Sequence, residues 1–236
     1  MEVLKCCRED EVLIKVEATA LNRADTIQRK GSYPPPKGAS EYPGLECSGT
    51  IEAVGSQVSR WKIGDQVCAL LSGGGYAEKV VVPAGQVLPI PPGVSLKDAA
   101  SFPEVACTVW STIFMMRRLS AGETLLEARK NRQPARTSKQ TCASEDFVAQ
   151  VKKETGGKGA NVILDNTGAS YLQRNLDSLN IGGRLFIIGF MGGTVTQVNL
   201  ACLLARRFTV QAAGLQNRSP ENKAETVSEV EKNVAR

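Results

Sequence analysis

Asn161-Val-Ile-Leu-Asp165 and Arg184-Leu-Phe-Ile-Ile-Gly189 are two short apolar runs of strand length, separated by a helix-length segment from Ser170 to Leu179. Apolar runs of this size, with no alternation, suit strands buried on both faces. The pattern continues outward on both sides. Upstream, Ser144 to Thr155 reads as an amphipathic helix that ends at Gly156-Gly157. Downstream, Val198 to Arg207 reads as a helix and Phe208-Thr-Val-Gln-Ala-Ala-Gly214 as a third strand. Strands alternating with helices predict an α/β fold with a parallel sheet covered by helices. The Pro220 to Arg236 stretch reads as a polar amphipathic helix without a closing element after it.

Residues 11–93 have a different texture. Glu11-Val-Leu-Ile-Lys-Val-Glu17, Gly44 to Gly55, Gln66 to Leu71 and Tyr76 to Val82 are rich in β signals, and Gly and Pro punctuate them at close intervals. Short, regularly spaced strands with turn signals predict a compact β-barrel-like domain. Ser95-Leu-Lys-Asp98 then has the form of a capping box, with Asp in the fourth place, ahead of an apolar helical stretch reaching about Leu119.

Composition limits the chemistry. The 236 residues contain no histidine, which removes the commonest general base, the commonest metal ligand and every Ser-His or Cys-His pair. The seven cysteines show no CxxC spacing and read as reduced thiols. Without a basic partner, Cys47 and Cys107 read as packing residues. The net charge of +5 is accounted for by residues 129–144, which carry five Lys or Arg and no acid. A nucleic-acid surface would bring a binding fold or interleaved aromatics with its charge, so no nucleic-acid partner is expected. No apolar run has the ~18 residues of a membrane span, and Met1 to Asp10 lacks a signal-peptide core. The expectation is no membrane partner and a cytoplasmic location.

Ala20-Leu-Asn-Arg-Ala-Asp25 and Pro43-Gly-Leu-Glu-Cys-Ser-Gly49, followed in order by Trp61 to Asp65, Gly73 to Ala77, Phe102-Pro-Glu104 and Gly189-Phe-Met-Gly-Gly193, carry a resemblance. The chain resembles the zinc-free, zeta-crystallin-like quinone oxidoreductase branch of the medium-chain dehydrogenase/reductases, and within it the p53-inducible type of plants. The match covers about residues 11–126 and 144–234. It implies a GroES-like N-terminal domain over 1–119, with a connecting helix, and a Rossmann (doubly wound parallel sheet) domain over 120–236. It implies NADPH and no zinc, with hydride transfer from NADPH to a small-molecule quinone or enone; the cofactor carries the hard chemistry.

The same resemblance places Asn22, Asp25 and Tyr33 near the nicotinamide and substrate, with Asn22 as a polar anchor and Tyr33 as a stacking or hydrogen-bonding group. Asn and Asp are also common at helix starts, so a turn is the competing reading. Thr108 matches a threonine at the nicotinamide end; in an apolar helix it reads equally as packing. Asn166, Thr167 and Gly168 follow one buried strand, and Gly189, Phe190, Met191, Gly192 and Gly193 follow the next, where open parallel sheets bind ligands. Glycine there allows close approach of a cofactor, or serves a tight turn.

The departure from the family lies between Glu127 and Glu145. Where a glycine-rich turn would hold the pyrophosphate on a helix N-terminus, the chain reads Arg129 to Ser144, without glycine. Set against the classic 3-2-1-4-5-6 strand order, strands 2 and 3 are missing and strand 1 is a stub ending in Glu127. Asn131 to Ala143, read out of frame with suitable codons, resembles the family's sequence just before Glu145. An exon-skipped, internally deleted and C-terminally truncated form is therefore expected. Strand 4, Asn161–Asp165, would become an exposed edge. NADPH binding and stability would be weakened. The alternative is a non-catalytic fragment that pairs with an intact homologue or is degraded; a homodimer is the family's own arrangement.

Overall fold

The structure, a computed structural model, describes residues 7–116, 119–128 and 147–234. The anomalous basic stretch 129–144 lies outside them. The described residues form two compact units, divided after Met116 and after Ala213. The second unit thus ends earlier than the 120–236 span read from the sequence, and Gly214 onward groups with the first.

The first unit is built on a five-stranded antiparallel sheet in the order β4-β1-β2-β3-β5. Its strands are β1 (Glu11–Thr19), β2 (Glu46–Val54), β3 (Gln66–Leu70), β4 (Lys79–Pro83) and β5 (Val87–Pro89). Val12, Ile14, Cys47, Ile51, Val67, Ala69 and Val82 bury one core of mainly β-branched side chains, the residues that pack best on a pleated surface. Register breaks at Leu13/Ile14 and Val16/Ala18 bend β1 over β2. Helix α1 (Arg23–Gln28) follows β1. Helices α2 (Leu96–Ala99) and α3 (Pro103–Trp110) follow β5, and α3 runs on as a turn of π-helix to Met115. The Ser95 side chain accepts from the Asp98 N–H at 3.1 Å, the cap read from the sequence.

The last helix, α7 (Pro220–Asn233), closes this unit. It buries Lys223, Thr226, Val227 and Val230, a stripe at helical spacing. Val227 and Val230 join Cys68, Leu70, Leu88, Ala99, Cys107 and Leu215 in a second core. That burial is why the segment leaves the second unit: its apolar stripe is satisfied on β3, β5 and α3.

The second unit is a four-stranded parallel sheet in the order β6-β7-β8-β9 among the described residues. The strands are β6 (Leu125–Ala128), β7 (Ala160–Asp165), β8 (Leu179–Ile187) and β9 (Thr209–Ala212). Helices α4 (Phe147–Glu154), α5 (Leu172–Ser178) and α6 (Leu200–Arg206) connect them. Phe147 and Val151 of α4 bury one turn apart against Ile163, Leu176 and Leu185.

The expected exposed edge at β7 is not found. The β6 stub pairs with it in parallel from Leu125↔Val162 to Ala128↔Asp165, and β8 pairs on its other side. Ala160, Val162, Ile163 and Leu164 are accordingly buried. Four residues of β6 suffice because parallel pairing needs only that its carbonyls and N–H groups match those of β7. Among the described residues the edge passes to β6, where Leu125 is 39% exposed. Among the described residues, no helix is long and apolar enough to cross a membrane.

Candidate functional site

The sequence-predicted residues gather at two places, one in each unit. In the first unit the start of α1 carries Asn22 and Asp25. Asp25 is 3% exposed. Its Oδ2 accepts from the Asn22 N–H at 2.7 Å and from the Tyr76 hydroxyl at 3.0 Å, and its Oδ1 accepts from the Gly44 N–H at 2.9 Å. Three donors inside the protein occupy this carboxylate. It ties α1 to the Pro43–Glu46 turn and to the glycine loop 73–75 and is not presented to a ligand.

Asn22 sits at the helix start, as the turn reading expects, and also reaches across: its Nδ2 donates to Glu46 Oε1 at 2.8 Å. Glu46, 3% exposed at the head of β2, uses its other oxygen to accept from the Glu104 N–H in the first turn of α3, again at 2.8 Å. Glu104 in turn accepts from the Thr108 hydroxyl at 3.1 Å, one helical turn on. Asn22, Glu46, Glu104 and Thr108 are therefore one connected network, into which Asp25 and Tyr76 link through Asn22.

Burial dominates the electrostatics here. It pushes Glu46 up to about 7, with Glu104 and Asp25 adding like charge and the two hydrogen bonds opposing. Glu104 is raised for the same reason, countered by Thr108. Tyr33 is half-buried, and burial first, then the charge of Glu104, holds its phenol protonated to higher pH. Burial pushes the thiols of Cys47 and Cys107 up to about 12; both are buried and inert, as packing residues would be.

Glu46, Glu104 and Tyr76 were not singled out for a role from the sequence. A charged residue between the apolar Leu45 and Cys47 at the start of a buried strand is a usable signal, because an acid survives burial only with donors around it.

In the second unit, β7 and β8 end side by side, Asp165 beside Ile187. Beyond them, Asn166–Gly168 and Gly189–Gly193 are laced together. Asn166 C=O accepts from the Met191 N–H at 3.1 Å, Thr167 C=O from the Gly192 N–H at 2.6 Å, and Gly193 C=O from the Ala169 N–H at 2.9 Å. A Cβ on Gly192 would stand 2.0 Å from Ser170 Oγ, and one on Gly168, at φ +76°, 2.9 Å from Gly193 C=O. These glycines are required by loop-on-loop contact. Asp165 is fully buried and anchors the turn, accepting from the Thr167 N–H at 2.7 Å and the Gly168 N–H at 3.0 Å. Burial raises its pKa against those two bonds. Asn166 Oδ1 is buried with no partner among the described residues, while Phe190 and Met191 stand 53% and 44% exposed.

Residues 8–92 match the family described as alcohol dehydrogenase GroES-like domain, and residues 137–232 match the zinc-binding dehydrogenase family. The chain is 30% identical over 226 residues to a quinone oxidoreductase from Pseudomonas aeruginosa, covering 82% of this chain and 69% of that one. It spans far less of some other curated relatives: 10% of a highly-reducing polyketide synthase from Aureobasidium melanogenum, at 29% identity over 78% of this chain. The solved Escherichia coli quinone oxidoreductase complexed with NADPH superposes with a TM-score of 0.77 at 27% identity, over 97% of this chain and 81% of that one. The chain has no histidine, and among the described residues no three His, Cys, Asp or Glu side chains come together as metal ligands.

Proposed function

The chain belongs to the medium-chain dehydrogenase/reductase superfamily, and from that premise we propose that it is an NADPH:quinone oxidoreductase of the p53-inducible type, acting in the cytoplasm. One observation carries this reading: Asn22, seated on Glu46, and the protonated Tyr33 are uncharged hydrogen-bond donors in a chain that has no histidine. A quinone or enone needs such donors, because a hydride arriving at it leaves charge on a carbonyl oxygen.

The proposed cofactor lies at the carboxyl ends of the parallel strands, where open sheets of this kind bind nucleotides. Asn166, with its unpartnered buried acceptor, fits the carboxamide N–H₂ of a nicotinamide. Thr167 and Gly168, with Gly189, Phe190, Met191, Gly192 and Gly193, form the laced loops that hold it. NADPH supplies the hydride. Asn22 donates to the carbonyl oxygen, Tyr33 supplies a proton to it, and Asp25 holds Asn22 and Tyr76 in place. Zinc has no part.

A second reading is favoured by one feature: the pyrophosphate turn expected after Ala128 is replaced by the glycine-free 129–144 stretch. On it the chain is a non-catalytic fragment that binds NADPH weakly and pairs with an intact homologue through a sheet edge or is degraded. The partner edge is β9, the last strand of this sheet among the described residues, where Val210 is 40% exposed. Titration with NADPH, followed by cofactor fluorescence and thermal unfolding, separates the two. Saturable binding with a higher Tm and quinone turnover supports the reductase. No binding, with dimers by light scattering, supports the second.

A further inference from the structure

Glu46 is held from both sides. Its main chain pairs with Leu70 of β3, and its carbonyl accepts from the Thr19 hydroxyl at 2.7 Å. Its two side-chain oxygens each face a donor, the Asn22 amide and the Glu104 backbone N–H. A carboxylate is the side chain with two acceptor oxygens and no donor. A glutamine here would turn an NH₂ onto one of two N–H groups and leave a buried clash of donors.

The consequence falls on Asn22. An amide has two chemically different ends that fit the same space. With a carboxylate beside it, only the nitrogen can face Glu46, so the carbonyl end of the amide is turned away from it. One N–H of Nδ2 is used on Glu46. The second is the donor that Asn22 has left for a ligand.

We propose that Glu46 is a positioning residue: by accepting from Asn22 and from Glu104 at once, it fixes the amide of Asn22 so that this side chain offers a donor, and so selects ligands that present a carbonyl oxygen. The selection for carbonyl ligands rests on the reading of Asn22 as the substrate anchor. The coupling between the two side chains does not.

The coupling is sensitive to protonation. The titratable groups around Glu46 are Asp25 from α1, Glu104 and Cys107 from α3, Cys47 beside it on β2, Cys68 from β3 and Tyr76 from the loop after the three glycines. All are acids or weak acids; burial first, then like charge from Glu104 and Asp25, raises Glu46 to about 7. A proton on Glu46 brings a donor against one of the two N–H groups and releases the amide.

The test is a pH titration of the full-length chain, labelled with ¹³C and ¹⁵N, reading the Glu46 carboxyl carbon and the Asn22 side-chain amide together. Both should move with one midpoint near 7, and Glu46→Gln should abolish the movement at Asn22. An Asn22 amide that ignores the ionisation of Glu46 overturns the proposal; the unsubstituted chain decides this even if the variant fails to fold. Binding of 1,4-naphthoquinone should weaken about tenfold in Glu46→Gln, the loss of one good hydrogen bond. Coincident midpoints without naphthoquinone binding to the unsubstituted chain would uphold the coupling and reject the quinone reading.

Discussion

Lys223 is the most exacting test of how α7 is docked. The side chain is 2% exposed, and its ammonium donates to Ser72 Oγ at 2.5 Å and to the Gln216 carbonyl at 2.7 Å. Burial alone lowers its pKa from 10.5 to about 8. At ~1.4 kcal/mol per pKa unit the full difference is ~3 kcal/mol. Ser72 is only half-buried, so solvent screening reduces this to about 1–2 kcal/mol. The unfolded chain keeps the proton to pH 10.5 while the folded chain sheds it near 8. Between those values the unfolded state binds more protons, so folding stability rises with pH; below about 8 the cost of the buried charge is present in full.

Lys223→Met removes the charge and keeps the length. At pH 7 the relief of that cost opposes the loss of a donor to a buried carbonyl, about 1–3 kcal/mol, and the two nearly cancel. The difference appears in the pH dependence. Urea unfolding at pH 7, 8.5 and 10 should show the unsubstituted chain gaining about 1–2 kcal/mol relative to Lys223→Met as pH rises. A stability difference constant across that range would refute the buried-ammonium account of α7.

Three further outcomes follow from the packing. Gly168→Ala forces a Cβ 2.9 Å from Gly193 C=O at φ +76°. It should cost about 1–3 kcal/mol and speed hydrogen exchange at Ala169 and Gly192; unchanged exchange there would contradict the laced-loop description. Phe186→Ala empties a fully buried site in β8 and should cost about 3–5 kcal/mol by denaturant unfolding, whereas a loss under ~1 kcal/mol would mean this sheet is not packed as described. Iodoacetamide on the native chain at pH 8 should modify Cys202 and spare Cys47, Cys68 and Cys107, which are fully buried and pushed up to about 12; peptide mapping that finds rapid labelling at any of the three would place it at the surface.

The sequence by itself determined what depends on local periodicity. The apolar runs 161–165 and 184–189 read as buried strands between helices; the first stands in β7, while β8 begins five residues earlier, at Leu179, and ends at Ile187. The cap at Ser95 was legible because capping joins residues three apart. Asn22 and Asp25 were legible as a motif, yet the motif did not say that Asp25 would be consumed by three internal donors.

What the tertiary structure decided depends on partners far apart in the chain. The β6 stub could be read only as a remnant; pairing with β7, more than thirty residues on, makes it the strand that keeps β7 covered. Gly192 reads from the sequence as room for a cofactor or as a tight turn, and only the fold shows that a Cβ there would meet Ser170 of the facing loop. Glu46 acquires its importance from α1 and α3, 24 residues before it and 58 after it. Helix α7 reads as a polar amphipathic helix with no partner named for its face, and only the fold shows that Lys223, Val227 and Val230 form the stripe by which it groups with the first unit. The physical reason is common to all four. Hydrophobic periodicity and capping act over a turn or two of chain and are written locally, whereas the burial of a charge or the space beside a glycine is fixed by whichever segment folds back against it.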